Sequence, residues 1–199
     1  MCSELGNQKS RDSTREHLLA AGLGLLAEKG YQGSTAREIA RVAGVTEVTL
    51  YRHFRSKDEL FSAAIAEEAA RVTELIPELS GNIEEDLCSL ARYMNEQLSA
   101  ERDRLIRVLP ELGRHPEMLG QNVAEAIQQF LDRLSSFFRY YQQSGDLTSD
   151  VGDEVTAVFL GPMYANVLMG DVAGIFAEFD YEQYVRHFLD GYRKPKQTD

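Results

Sequence analysis

The sequence predicts an all-α protein: an N-terminal three-helix head containing a helix-turn-helix, then a C-terminal helical bundle. Three observations carry this reading. Trp is absent and five Pro interrupt 199 residues, and long β-branched apolar runs are missing. Apolar residues recur at helical spacing along most of the chain. Capping patterns, a Ser, Thr, Asp or Asn followed by Glu or Gln at the third position after it, mark helix starts.

The first helix is expected over 12–30, with Ser13 and Glu16 as a capping box, Leu18, Ala21, Gly22, Leu25 and Leu26 on one face, and Gly30 as its stop. Thr35 with Glu38 opens a short second helix whose inward residues are Ile39, Ala40 and Ala43. Gly44 then supplies the positive φ that a tight interhelical turn requires. Thr46 caps a third helix from 47 to about 54, and Ser56 with Glu59 caps a fourth that runs through Leu60, Phe61, Ala64 and Ile65 and ends before Pro77. Longer helices follow over 82–98, 101–113, 117–144 (stopped by Gly145), 150–170 and 181–192 (capped by Asp180 with Gln183), and the tail 194–199 is polar. The expected division is a DNA-binding head over 1–57 and a ligand-binding and dimerisation domain over 58–199.

The net charge of −11 is unevenly placed. Residues 1–60 hold nine Lys/Arg and eight Asp/Glu, whereas 61–199 hold twelve and twenty-four. Binding to DNA needs a local positive face rather than a basic whole, so the acidic total does not exclude it. No uncharged stretch reaches the roughly 18 residues of a membrane span, and 1–15 lack a signal peptide's apolar run, so the expected address is the cytoplasm. Two cysteines, Cys2 and Cys88, make no disulfide framework. His17, His53, His115 and His187 have no ligand spacing, so neither metal nor cofactor is expected. A nucleophile elbow, a phosphate loop and a dinucleotide fingerprint are all missing, which argues against an enzyme. His115-Pro116-Glu117 reads as a turn.

Short helices around Gly44 make a helix-turn-helix pattern. The residues Gly30, Tyr31, Ser34, Thr35, Ile39, Ala40, Ala43, Gly44, Val45, Thr46, Thr49, Leu50, Tyr51, His53, Phe54, Ser56, Lys57 and Leu60, without a gap, closely resemble the DNA-binding signature of the tetracycline-repressor (TetR) family of bacterial transcription regulators. The match covers about residues 10–60. It departs at Val48, where the family usually has Gly, Ala or Pro.

A helix in the major groove needs donors at its rims and compact side chains at its tip. Thr46, Glu47, Val48 and Thr49 occupy the tip: Thr49 can donate to a base or touch a thymine methyl, Val48 can pack on a thymine methyl, and Glu47 can accept from cytosine N4 or remain solvated. The resemblance assigns Tyr51 and His53 to phosphate clamping. Lys57 opens the fourth helix as a cation at an anion site. Arg37 and Arg41 share a face of the second helix towards the opposite phosphate wall, and by resemblance Arg37 also reaches a base. Lys9, Arg11 and Arg15 can add backbone contacts. Phe54 reads as core, and Arg52 and Arg55 as solvated.

Two C-terminal apolar stripes, Val151, Val155, Val158, Phe159, Met163 and Val167 on one helix and Tyr181, Tyr184, Val185, Phe188, Leu189 and Tyr192 on the last, either bury into the chain's own core or pair with their copies. The resemblance favours a four-helix homodimer interface, since a two-fold dimer reads a palindromic operator in double-stranded DNA. The remaining helices are expected to surround a pocket for a small amphipathic or hydrophobic effector, lined by Met94, Gln97, Arg107, Phe130, Leu134, Phe137, Tyr141, Met163, Tyr164 and Asn166. Gly161-Pro162 should kink its helix. The reading is a ligand-responsive regulator, by resemblance a repressor, whose effector tilts the fourth helix. The alternative is an acidic helical protein-interaction module that has lost DNA binding.

Overall fold

The computed structural model describes the backbone of residues 2–148, 154–173 and 179–193, and side chains within 11–148, 154–169 and 179–193. Val151, the Lys9 side chain and the tail 194–199 lie outside the described residues. The described residues form nine α-helices: α1 (Cys2–Gly33), α2 (Ala36–Val42), α3 (Glu47–His53), α4 (Lys57–Glu74), α5 (Ile83–Ala100), α6 (Arg102–Arg114), α7 (Gln121–Ser144), α8 (Glu154–Ala173) and α9 (Tyr181–Tyr192), with a 3-10 turn at Pro116–Met118 before α7. The architecture is all-α, as expected.

Most starts follow the capping chemistry. Thr35, Thr46, Asn82 and Asp180 each accept a hydrogen bond from a first-turn amide of α2, α3, α5 and α9. Ser56 accepts from the Glu59 amide while the Glu59 carboxylate accepts from the Arg55 amide. Two starts differ. Helix α1 already runs through Ser13, which therefore caps nothing, and it breaks at Gly30 (φ 69°) before a last turn over 31–33. Helix α7 begins at Gln121, because 116–118 form a separate turn. Helix α8 runs through Pro162, where the sequence predicts a kink, as one helix.

The chain forms two compact units that divide it elsewhere than at 57/58. The first holds the residues up to Ala70 together with Asp103–Ile127; the second holds Arg71–Arg102 and the residues from Gln128 onward. The reason is packing. Leu60, Phe61, Ala63 and Ala64 of α4, Val108 of α6 and Met118 join Leu18, Leu25, Leu26, Ile39, Leu50 and Phe54 in one buried cluster. A head cut at residue 57 would leave these apolar faces in water.

In the second unit, α5 packs on both α8 and α9. Phe138 of α7, Phe159 of α8 and Phe188 of α9 form a triangle of rings 5.0–6.1 Å apart. These aromatics correct the expectation for the dimer stripes. Val155, Phe159, Val185, Phe188 and Leu189 are at most 5% exposed within a single chain, so they fill this unit's own core. Tyr192 lies against Phe188 at 4.9 Å and Tyr181 against Phe179 at 5.8 Å. Tyr184 donates to the Phe159 carbonyl at 2.5 Å and lies 3.4 Å from that of Val158. Pro162 has no N–H to offer Val158, so the tyrosine stands at the carbonyl the proline leaves without its helical donor. Of the expected α8 stripe Val158 does face outward, in a row with Ala157, Gly161, Pro162, Ala165 and Met169.

Asp86, 4% exposed, ties the start of α5 to α7. Its carboxylate accepts from the amide and hydroxyl of Ser80, the Gly81 amide and the Tyr141 hydroxyl. Burial alone would raise its pKa, but these donors outweigh that and hold the carboxyl below its ordinary value. Replacing Asp86 with Asn, which turns an amide towards donors, should cost about 3 kcal/mol in urea unfolding at pH 7. Because the native pKa is depressed, the contribution is present above the ordinary carboxylate range and is lost as pH falls through the lowered value. The deficit of Asp86→Asn should therefore shrink below about pH 4. A deficit independent of pH would refute the ionised assignment.

Candidate DNA-binding interface

Helices α2 and α3 are joined by a C-terminal cap of the Schellman type. The Val45 amide reaches the Ala40 carbonyl at 2.9 Å, the Gly44 amide reaches that of Arg41 at 3.2 Å, and Gly44 takes φ 72°. On the inward side Ile39, Ala40, Leu50 and Phe54 are at most 3% exposed. Every large apolar group of the two helices except Val42, Val48 and Tyr51 is thereby turned away from solvent, and α3 is pinned through Leu50.

On the outward side stand Arg37, Arg41, Thr46, Glu47, Val48, Tyr51, Arg52 and Arg55. Lys29 binds Glu38 at 2.5 Å, and its hydrogen bond is the main reason that carboxyl titrates low. Glu38 is 3.6 Å from Arg41, whose side chain remains 72% exposed. The local acid is thus answered from α1, which leaves both α2 guanidinium groups facing out. At the tip of α3 the hydroxyls of Thr46 and Thr49 lie 2.9 Å apart, and Thr46 also accepts from the Thr49 amide. Thr49 is half-buried and engaged with the cap, which weakens its expected role as a base donor.

Two expected phosphate contacts sit differently. The ring of His53 is half-buried and its Nε2 is buried without a partner. Burial and then the fields of Arg52, Arg11 and Arg15 hold its pKa below the usual imidazole value. Arg15 itself pairs with Glu67 at 2.6 Å. Lys57 turns inward: its Nζ donates to the Tyr31 carbonyl at 2.8 Å and lies 3.7 Å from the centre of the Tyr31 ring. This corrects the expectation that Lys57 is a free cation at the start of α4, because the tyrosine supplies both an acceptor and a π face.

Tyr31 gathers further groups. Its amide donates to Glu111 Oε2 at 2.6 Å, its hydroxyl to Asp58, and its ring stacks on His115 at 4.1 Å. Arg114 holds the other Glu111 oxygen at 2.9 Å, and Glu117 lies 3.0 Å from His115 Nδ1. The Tyr31 amide first, with Arg114, lowers the pKa of Glu111; burial and Asp58 raise that of Tyr31. Gly30 permits this approach, since a Cβ there would lie 2.9 Å from Glu111 Oε2. Sequence reading missed the joint, because Tyr31 and Glu111 are 80 positions apart and no local pattern links them.

The expected pocket residues are not one group. Met94, Leu134, Phe137 and Met163 are buried in the second unit. Phe130, Tyr164 and Asn166 are half-buried there, as is Gln97, whose Oε1 lies 3.4 Å from Arg71. Tyr141 has its hydroxyl engaged by Asp86, and Arg107 is exposed and belongs to the first unit. Two polar atoms that sequence reading did not single out, Asn95 Oδ1 and Thr156 Oγ1, are buried without partners in the second unit. Among the described residues no group of three or more His, Cys, Asp or Glu could hold a metal, and no helix is long and apolar enough to cross a membrane.

Residues 18–64 match the profile of bacterial regulatory proteins of the tetR family. An uncharacterized HTH-type transcriptional regulator of Mycobacterium tuberculosis is 32% identical over 149 residues, covering 72% of this chain and 71% of that protein. The negative transcriptional regulator of the biofilm operon, IcaR of Staphylococcus aureus, is 22% identical over 166 residues, 82% of this chain and 89% of its own. Among solved structures, the transcriptional regulator FadR from Bacillus subtilis, in complex with stearoyl-CoA, has a similar fold, with a TM-score of 0.69 at 21% identity over 88% of this chain and 95% of that one. With a helix-turn-helix whose inward faces are all committed to one core, and with a relative this similar over most of both chains, the protein belongs to the TetR family of bacterial transcriptional regulators.

Proposed function

We propose that the protein is a sequence-specific repressor that binds a palindromic operator as a homodimer and is released by a small amphipathic or hydrophobic effector. The observation that carries this is the outward array of Arg37, Arg41, Val48, Tyr51 and Arg52 on a head whose inward residues are closed. Arg37, Arg41, Tyr51 and Arg52 take the phosphate walls, while Glu47 and Val48 face base edges. That IcaR is a negative regulator supports repression, and that FadR was captured with stearoyl-CoA supports an effector. Regulation rather than catalysis, at a cytoplasmic address, accords with the relatives being regulators. The effector site belongs to the second unit, where the unpartnered atoms of Asn95 and Thr156 offer polar points in an apolar setting. Within the first unit α6 is tied to α1 as α4 is, because Glu111 and His115 grip Tyr31.

Fluorescence anisotropy against salt tests the DNA reading. Wild type should weaken with a log–log slope of roughly −0.9 per neutralised phosphate, and Arg37→Ala or Arg41→Ala, lost from both half-sites of the dimer, should each flatten it by about 1.8. Lys57→Ala should instead lower stability by about 1–2 kcal/mol with the slope intact, since it loses a hydrogen bond and a cation–π contact. Salt-independent binding, or no preference for any duplex, would refute the assignment.

The dimer surface in this reading is the outward stripe of α8, where Val158 is 41% and Met169 51% exposed. Val158→Arg with Ala165→Arg should give a monomer by light scattering with helicity unchanged, and weaken binding to a two-half-site duplex on the order of 100-fold. Phe188→Ala should unfold the bundle more readily, by about 3–5 kcal/mol, rather than dissociate it. A dimer that survives the double arginine variant would place the interface elsewhere.

A further inference from the structure

We propose that Val48 is a specificity residue that reads a pyrimidine C5-methyl group, that of thymine or of 5-methylcytosine, at one step of each half-site. The inference rests on the DNA-binding reading above and adds what the head selects. Val48 is 80% exposed, more than any other large apolar residue among those described, the next being Leu75 at 53%. Nothing in the fold accounts for it. A β-branched side chain in the first turn of a seven-residue helix loses χ1 freedom, and here it gains no burial in return.

The polar groups beside it are engaged. Thr46 and Thr49 share one hydrogen bond between their hydroxyls, and Thr46 also holds the Thr49 amide. Of the first turn, only the Glu47 carboxylate and the Val48 isopropyl group remain to project outward. One turn further on, Tyr51 and Arg52 share that face. The base edges of the major groove offer a single apolar group, the C5-methyl of thymine, and methylation adds the same group to cytosine. An isopropyl group at this tip therefore has one chemical class of partner. The buried Leu50 beneath it, 0% exposed, fixes where the methyls are presented.

The test uses the full chain and duplexes enriched from a random library by binding. Each thymine of the selected site is replaced singly by deoxyuridine, which removes only the methyl, and each cytosine singly by 5-methylcytosine, which adds only that group. Affinities are measured for wild type and for Val48→Ala, whose fold is checked by circular dichroism. If thymine is the source, one deoxyuridine position should weaken wild type about fourfold and leave Val48→Ala unchanged, matching the loss of one buried methyl. If 5-methylcytosine is the source, one methylated position should tighten wild type by about the same factor, again with no response in the variant. The proposal is overturned if no position of either kind separates wild type from Val48→Ala while the duplex still binds. If no duplex is enriched at all, the DNA-binding reading falls with it.

Discussion

Tyr31 is the residue on which the first unit closes. Its amide, carbonyl, ring and hydroxyl each engage a different part of the chain: Glu111, Lys57, His115 and Asp58. Three helix ends are therefore held at one residue, the last turn of α1, the start of α4 and the end of α6. Three of the partners, Glu111, Lys57 and Asp58, are ionisable and bound by short hydrogen bonds, so loosening one of them leaves a polar group without its partner.

The same economy of charge lets an acidic protein present a basic surface. The head carries almost as many carboxylates as cations, yet several of the carboxylates are drawn aside, Glu38 by Lys29, Glu67 by Arg15, Asp58 by Tyr31 and Glu59 by the Arg55 amide, while Glu47 faces out at the tip of α3. The guanidinium groups of Arg37, Arg41 and Arg52 face out. Local pairing thus decides the field that a phosphate would meet, while the net charge of −11 sets only the distant one.

In the second unit the apolar content of α8 exceeds what one core can use. Its inward stripe, Val155, Phe159, Met163 and Val167, is buried against its neighbours, and a second stripe of smaller residues is left outside. A proline in such a helix frees a carbonyl, and a tyrosine from α9 stands at that carbonyl. Most side chains that look interfacial by periodicity are therefore interior, Val158 excepted, and Gly161 and Pro162, which look like helix irregularities, lie on the outward side.

Local chemistry determined the head and most of the helix starts, those of α1 and α7 excepted. Thr35, Thr46, Asn82 and Asp180 cap where their spacing to the first-turn amides says they should, and Gly44 makes the turn between α2 and α3, because these choices involve residues within one turn of each other. The outward placement of Arg37, Arg41, Glu47 and Val48 was equally legible, since periodicity puts them opposite Ile39 and Leu50. What the sequence left open were choices between distant partners. An apolar stripe such as Val185, Phe188 and Leu189 fits a self-core and a dimer equally well, and only the ring triangle with Phe138 and Phe159 separates the two. Lys57 and Tyr141 carry groups that suit a ligand, yet tertiary neighbours far along the chain, Tyr31 and Asp86, engage them first. The physical reason is range: capping and periodicity act within a few residues, whereas burial and ion pairing are settled by whatever the folded chain brings near.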